Sequence, residues 1–329
     1  MKNKKLIVAV GLIMFVLIVN FFTSQKDQPQ VKHKDIPEVG ILQYVSHPAL
    51  DKIYEGMIDE LAKEGFIDGE TISITKQNAQ ADQSKLTNMG QQLISKHPDV
   101  LVGIATPAAQ SLANQTTDIP IVLGAISDPK AAGLVASNEN PGGNITGVSD
   151  QAPVEAQVAL MKQLVPQLKT VGVLYSSAED NSLSQVNRFT DIAKKEGLQV
   201  KHYPVPSTNE IAQMSQVMTK EVDAIYIPTD NTIANGFQTV VSIADVANIP
   251  IFPSVDTMVD EGGVATVGIN QYDLGVETGR MVSDLLNGTI KTEDTPIYIF
   301  ETGDIIINEE KVNQLDIHVP VDLQEEVTK

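Results

Sequence analysis

Apolar and polar positions succeed one another in a regular order from Val39 onward. Val39-Gly-Ile-Leu-Gln-Tyr-Val reads as a buried strand, and Ser46-His-Pro-Ala follows as its loop. Leu50, Ile53, Met57 and Leu61 then recur at helical spacing, and Glu64-Gly65 ends that helix. Thr71-Ile-Ser-Ile-Thr alternates as a second strand. Leu86, Met89, Leu93 and Ile94 mark a helix over about Asp82 to Ser95. Asp99-Val-Leu-Val-Gly-Ile is another buried strand, after which Thr106-Pro-Ala-Ala opens a helix with proline in its first turn. Ile119 to Ile126 forms the next strand and leads to Ser127-Asp-Pro. Alternating strand–helix units of this length predict an α/β fold, a parallel sheet with helices on both faces.

The pattern then repeats. Glu38-Val-Gly-Ile-Leu is matched by Thr170-Val-Gly-Val-Leu, and the helices that follow both end in Glu-Gly, at 64–65 and 196–197. Pro98-Asp-Val-Leu-Val-Gly-Ile-Ala-Thr is matched by Glu221-Val-Asp-Ala-Ile-Tyr-Ile-Pro-Thr, and Asp118-Ile-Pro-Ile-Val by Asn248-Ile-Pro-Ile-Phe. Three matched units in one order predict two similar lobes. The expected lobes are 37–149 plus 271–297, and 150–270 plus 298–329, joined by a three-segment hinge near 148–151, 268–271 and 297–303.

Ligands of open parallel sheets bind beyond the carboxyl ends of the strands, so the loops after matched strands are expected to line one cleft. On the first lobe these loops carry Tyr44, Ser46, His47, Thr106, Pro107, Ala108, Ser127 and Asp128, with Gln151 at the crossing. On the second they carry Ser177, Asn181, Ser182, Asp230, Asn231 and Ser254. The sequence has two arginines, Arg188 and Arg280, both inside expected helices, so no arginine clamp for an anion is expected. Free N–H groups and hydroxyls around Asn181 and Ser182 suit a carboxylate instead. Asp230 suits an ammonium group, and reads equally as the N-cap of the helix that Ile233 and Phe237 begin. His47 is a candidate donor to a ligand or an exposed loop residue, and Tyr44 and Tyr175 are candidates for the cleft wall or for the core.

The amino terminus has a different character. Three lysines precede an apolar run from Leu6 to Phe22, which reads as a membrane anchor in preference to a cleaved signal, since no small-x-small site follows. Residues 23–36 are polar and aperiodic, a flexible tether. From Pro37 onward 17 Lys or Arg face 40 Asp or Glu, a balance near −23 that repels nucleic acid and anionic lipid. Cysteine is absent, which removes disulfides, thiolate metal sites and cysteine nucleophiles. No Gly-x-Ser-x-Gly elbow and no His-x-x-x-His or Glu-x-x-His pair occurs, so neither catalytic residues, a metal nor a cofactor is expected, and the chain does not read as an enzyme.

The words Ser46-His-Pro-Ala-Leu-Asp, Ala105-Thr-Pro-Ala-Ala-Gln, Ser127-Asp-Pro, Pro141-Gly-Gly-Asn-Ile-Thr-Gly-Val-Ser-Asp, Asn181-Ser and Pro228-Thr-Asp-Asn-Thr resemble a family of ABC transporter substrate-binding proteins. The likeness runs in order from about Pro37 to the C-terminus, and is nearest to the tryptophan or aromatic amino acid binding proteins of Gram-positive bacteria. It implies a type I periplasmic-binding fold and a monomer that captures an amino acid outside the cytoplasm. The ligand would pass to a membrane permease coupled to a cytoplasmic ATPase. The implied pocket falls on Ser46, Thr106, Ser127, Asn181, Ser182, Asp230 and Asn231. Many members are tethered through a lipidated cysteine, which this chain lacks, a departure that agrees with the Leu6–Phe22 anchor. A sensory ligand-binding module and a binder of another small molecule, such as a sugar or nucleoside, are the alternatives. Zero tryptophan and two arginines speak against the sugar and nucleoside.

Overall fold

The structure is a computed structural model and describes residues 36–328. Its first stretch runs through β1 (Glu38–Gln43), α1 (Pro48–Lys63), β2 (Ser73–Asn78), α2 (Gln83–Ile94), β3 (Val100–Ile104), α3 (Thr106–Ala113), β4 (Ile121–Gly124) and β5 (Ile145–Ser149). The second continues through α4 (Val154–Leu164), β6 (Thr170–Ser176), α5 (Asp180–Lys195), β7 (Gln199–Val205), α6 (Ile211–Met218) and β8 (Ala224–Ile227). It is completed by α7 (Asn231–Asn235), α8 (Phe237–Ala247), β9 (Ile251–Pro253), α9 (Asp256–Asp260) and β10 (Ala265–Gly268). The last stretch holds α10 (Gln271–Leu286), β11 (Tyr298–Ile299), β12 (Asp304–Asn308), α11 (Glu309–Gln314) and β13 (Val327–Thr328).

The internal repeat is visible in the sheets. The first sheet has the order β2-β1-β3-β4-β5-β11, and the second β7-β6-β8-β9, all parallel. Each begins with the same order, one repeat apart. Buried on both faces by helices, their central strands are continuous apolar runs, as Val100–Ile104 and Ala224–Ile227 show. The matched helices α1 and α5 also end alike. Gly65 and Gly197 take left-handed backbone at φ 90° and 83°, which releases the chain from the helix at little steric expense. A separate three-stranded sheet, β10-β12-β13, departs from the parallel rule: β12 lies antiparallel to β10 and parallel to β13.

The chain passes between the sheets three times. β5 leads to α4 of the second lobe, β10 leads to α10 of the first, and β11 leads to β12 of the second. Tyr298 and Ile299 pair with Val148 and Ser149, so these two residues extend the first sheet, although the sequence reading starts the second lobe at 298. The reason is a strand of two residues, too short to show which sheet it joins. Residues 1–22, read as an anchor, and the tether before residue 36 lie outside the described residues. Among the described residues no helix is long and apolar enough to cross a membrane.

Helix α10 returns to cover the first lobe by lying directly on α1. A Cβ at Gly275 would overlap the Ile53 carbonyl oxygen, one at Gly56 would overlap that of Tyr272, and one at Gly279 would stand 2.6 Å from that of Met57. The two backbones therefore touch, which no side chain at these positions permits. Replacing glycine by alanine inside a helix normally gains about 1 kcal/mol. Here the overlap is with backbone, which cannot rotate away, and overpacking of this kind costs about 1–3 kcal/mol. Gly275→Ala is thus expected to lower stability despite its better helix propensity, measured as a lower midpoint in urea with an unchanged slope.

Candidate ligand-binding site

The strand ends of both lobes converge on a narrow enclosed cavity of about 20 Å³. It is bordered by His47, Ala49, Leu50, Ala105, Thr106, Ala125, Ser127 and Asp150 from the first lobe and crossing. Asn181, Thr229, Asp230, Asn231, Ala234 and Val255 face them from the second, and Gln271 stands at the hinge. Open hollows of about 500 and 610 Å³ lie elsewhere, but no buried, unpartnered polar side chain borders them. In the cleft there are three: His47 Nδ1, Asp150 Oδ1 and Asn181 Oδ1 have no partner within the described protein. A buried polar atom left unpaired costs about 1–3 kcal/mol, so three around one cavity mark a place built to receive something.

The surrounding bonds decide what these atoms are. Asn181 donates its Nδ2 to the Thr229 carbonyl at 2.9 Å, which leaves Oδ1 as a free acceptor. Asn231 donates Nδ2 to Glu179 Oε2 at 2.6 Å, so its Oδ1 faces His47 Nε2 at 3.3 Å and that nitrogen carries the ring proton. Burial pushes the His47 pKa down to about 4, and the ring is neutral at pH 7 with a lone pair on Nδ1. Burial pushes the Asp150 carboxyl up to about 6, against hydrogen bonding from Ser127. All three free atoms are thus acceptors at neutral pH.

Asp230 is differently occupied. Its Oδ1 accepts from Ile233 N at 2.8 Å and caps α7, while Oδ2 accepts from Ser176 N at 2.5 Å and Ser182 Oγ at 2.6 Å. Beside it, the buried Glu179 takes Asn231 N, Asn231 Nδ2, Thr232 N and Thr232 Oγ1. Burial and the Glu179 charge both raise the Asp230 pKa. The two carboxylates weld the loop after β6 to the loop after β8. Asp230 borders the cavity, but its oxygens already serve the protein.

Backbone geometry also contributes. Ala105 and Ala125, at the ends of β3 and β4, hold φ of 75° and 59°, a left-handed conformation that alanine rarely adopts. The turn at Ala105 leaves the first turn of α3 without a side-chain cap, beside the Thr106 hydroxyl. At the hinge, Asp256 Oδ2 accepts from Gln271 N at 3.2 Å, joining the second lobe to the start of α10. Two further bonds cross between lobes away from the cavity: Gln110 Nε2 donates to Asp180 Oδ2 at 3.0 Å and Ser184 Oγ to Asp128 Oδ2 at 3.1 Å.

Of the residues expected from sequence, His47, Thr106, Ser127, Asn181, Asp230 and Asn231 border the cavity. Ser182 stands just behind it, bonded to Asp230. Several others point elsewhere. Ser46 is exposed and donates to Asp51 at 2.6 Å, Ser177 is exposed and donates to the Val205 carbonyl, and Gln151 is exposed at the crossing. Tyr44 is buried and donates to the Ala81 carbonyl at 3.4 Å, and burial with the Glu179 and Asp230 charges pushes its pKa up to about 12. Pro107 borders a separate hollow along α3, and Ala108 is core. Asp128 makes the cross-lobe bond to Ser184, and Ser254 belongs to a buried network with Tyr226 at 2.7 Å. Sequence reasoning missed Ala49, Leu50, Ala125, Asp150, Ala234 and Gln271. Asp150 had a signal, the first polar side chain beyond the buried run Ile145–Ser149, one place before the chosen Gln151.

This is the geometry of a two-lobed binding protein, with a cleft between two parallel-sheet lobes. The family model described as ABC transporter substrate binding protein matches residues 38–329, and the chain belongs to that family. A crystal structure of the ABC domain in complex with L-Trp from Streptococcus pneumoniae is 49% identical, covers 89% of this chain and 99% of that one, and superposes with a TM-score of 0.86. The tyrosine-binding protein of Clostridioides difficile strain R20291 is 35% identical over 89% of this chain and 85% of its own length. The ligand-free, open structure of a substrate-binding protein with adhesive properties from Clostridium difficile is 37% identical. It covers 89% of this chain and 99% of that one, with a TM-score of 0.69.

The two cleft carboxylates are expected to respond oppositely to mutation. Asp230→Ala removes a cap and orphans the buried Ser176 N–H and Ser182 hydroxyl, a loss of about 2–4 kcal/mol. Asp150→Asn removes a buried charge with one unpartnered oxygen, and the urea midpoint should stay level or rise.

Proposed function

We propose that the chain is the extracytoplasmic capture component of an ABC importer, and that it binds an aromatic amino acid between its lobes. The observation that carries the reading is the set of free acceptors on one cavity. An ammonium group brings three N–H donors and one positive charge, which matches Asp150 Oδ1 and Asn181 Oδ1. The Thr106 hydroxyl and N–H at the start of α3 suit the carboxylate, since Pro107 has no N–H and Ala108 N already donates to the Ala105 carbonyl. Ala49, Leu50, Ala234 and Val255 offer an apolar wall of small and medium side chains to the rest of the ligand. The L-Trp complex and the tyrosine-binding relative support the aromatic class.

Lobe movement belongs to the proposal. A cavity of about 20 Å³ holds one or two water-sized centres, so an amino acid enters after the lobes part. The higher superposition on the L-Trp complex than on the open, ligand-free relative supports a closed arrangement here. The closed form would dock on a permease that works with a cytoplasmic ATPase. Tethering by the Leu6–Phe22 segment remains part of the same reading.

Calorimetric titration with the twenty amino acids tests the ligand class. A Kd below about 100 μM for tryptophan or tyrosine is expected, roughly −5.5 kcal/mol or better. The absence of any amino acid binding would overturn the reading. Since the chain has no tryptophan, emission excited in the indole band reports bound tryptophan directly.

Acidity supplies a second test. Asp150 must be ionised to hold an ammonium, so affinity should fall as pH drops through about 6. The ligand-free protein should show the reverse from this group. Its folded carboxyl holds a proton up to about 6 while the unfolded one releases it near 4, so its contribution to stability declines as pH rises between the two. Asp150→Asn should weaken binding at least tenfold and flatten both profiles.

A further inference from the structure

His47 is held in one tautomer by a relay that begins at a buried carboxylate. Glu179 is only an acceptor, so Asn231 must present its NH2 to it at 2.6 Å. The amide oxygen of Asn231 is thereby turned on His47, whose Nε2 must donate at 3.3 Å. Nδ1 is left with a lone pair, buried and unpartnered, on the cavity. His47 is the N-cap residue of α1, whose Ala49 and Leu50 form the apolar wall, and Asn231 begins α7, which carries Ala234 one turn later. The free acceptor thus borders the cavity from the residue that leads into Ala49 and Leu50, and Asp150, a charged partner, is left to serve the ammonium.

Building on the aromatic amino acid reading, we infer that His47 Nδ1 is a specificity-determining acceptor for a ring N–H or O–H of the ligand side chain. The site then selects indole and phenol side chains over phenyl. The sequence alone suggested a donor, and the relay reverses that role. A binding site arranged around a polar atom discriminates strongly against an analogue that leaves the atom unpaired, because the desolvated lone pair finds no substitute.

The test is calorimetric titration of the full chain with L-tryptophan, its sulfur isostere 3-benzothienyl-L-alanine, L-tyrosine and L-phenylalanine. The isostere keeps the shape of the indole and lacks only the N–H. We expect tryptophan to bind at least tenfold more tightly than the isostere, and tyrosine at least tenfold more tightly than phenylalanine. His47→Leu should bring tryptophan and the isostere within threefold of each other. His47→Gln, whose amide can donate to Asn231 and still present an oxygen, should keep most of the preference and guards against a folding defect in the leucine variant. Equal binding of tryptophan and its isostere by the unaltered protein overturns the proposal. So does a His47→Leu variant that binds all four ligands more weakly by one common factor, since His47 would then serve the amine. Failure of all four ligands to bind would remove the amino acid reading itself, an outcome distinct from binding without discrimination.

Discussion

The cleft depends on one buried carboxylate. Glu179 lies in the loop after β6, 1% exposed, and gathers four donors from Asn231 and Thr232 at the start of α7. A buried charge is tolerable when several hydrogen bonds replace water, and such a network is rigid because each broken bond leaves a desolvated charge. Its consequences extend to the ligand cavity. Asn231 can face Glu179 in one orientation only, and that orientation sets the protonated nitrogen of His47 in the opposite lobe. Asp230 fixes the same two loops through Ser176 and Ser182. The atoms expected to touch ligand are therefore set by atoms that do not.

The duplication made most of the architecture legible. Strands buried on both faces are apolar without interruption, and the matched words around Gly65 and Gly197 announced two copies before any strand order was known. Strand order then followed the repeat, β2-β1-β3 against β7-β6-β8. What escaped was short or unpatterned. β11 is a two-residue strand, too brief to show which sheet it joins, and β12 turns antiparallel to β10 in a separate three-stranded sheet.

The site was legible as loops and less so as side chains. Choosing strand ends brought His47, Thr106, Ser127, Asn181, Asp230 and Asn231 to one cavity, because parallel sheets place such loops together. Side-chain direction within a loop has no comparable rule. Ser46 and His47 are neighbours, yet one bonds outward to Asp51 and the other points to the cleft. Asp150 was passed over for Gln151 because both follow the same strand. Ala105 and Ala125 give no sequence signal for left-handed backbone, where glycine or asparagine would have suggested it.

The bonds that cross between lobes outside the cavity have a kinetic meaning. Gln110–Asp180 and Ser184–Asp128 touch none of the atoms assigned to the ligand. Under the proposed lobe closure, their strength biases the ratio of shut to parted forms whatever occupies the cleft, and apparent affinity scales with the fraction of protein in the competent form. On that reading, selectivity and the balance of shut and parted forms reside in separate sets of residues. Changes along α3 and α5 would then retune apparent affinity while the choice of ligand stays with the cavity wall.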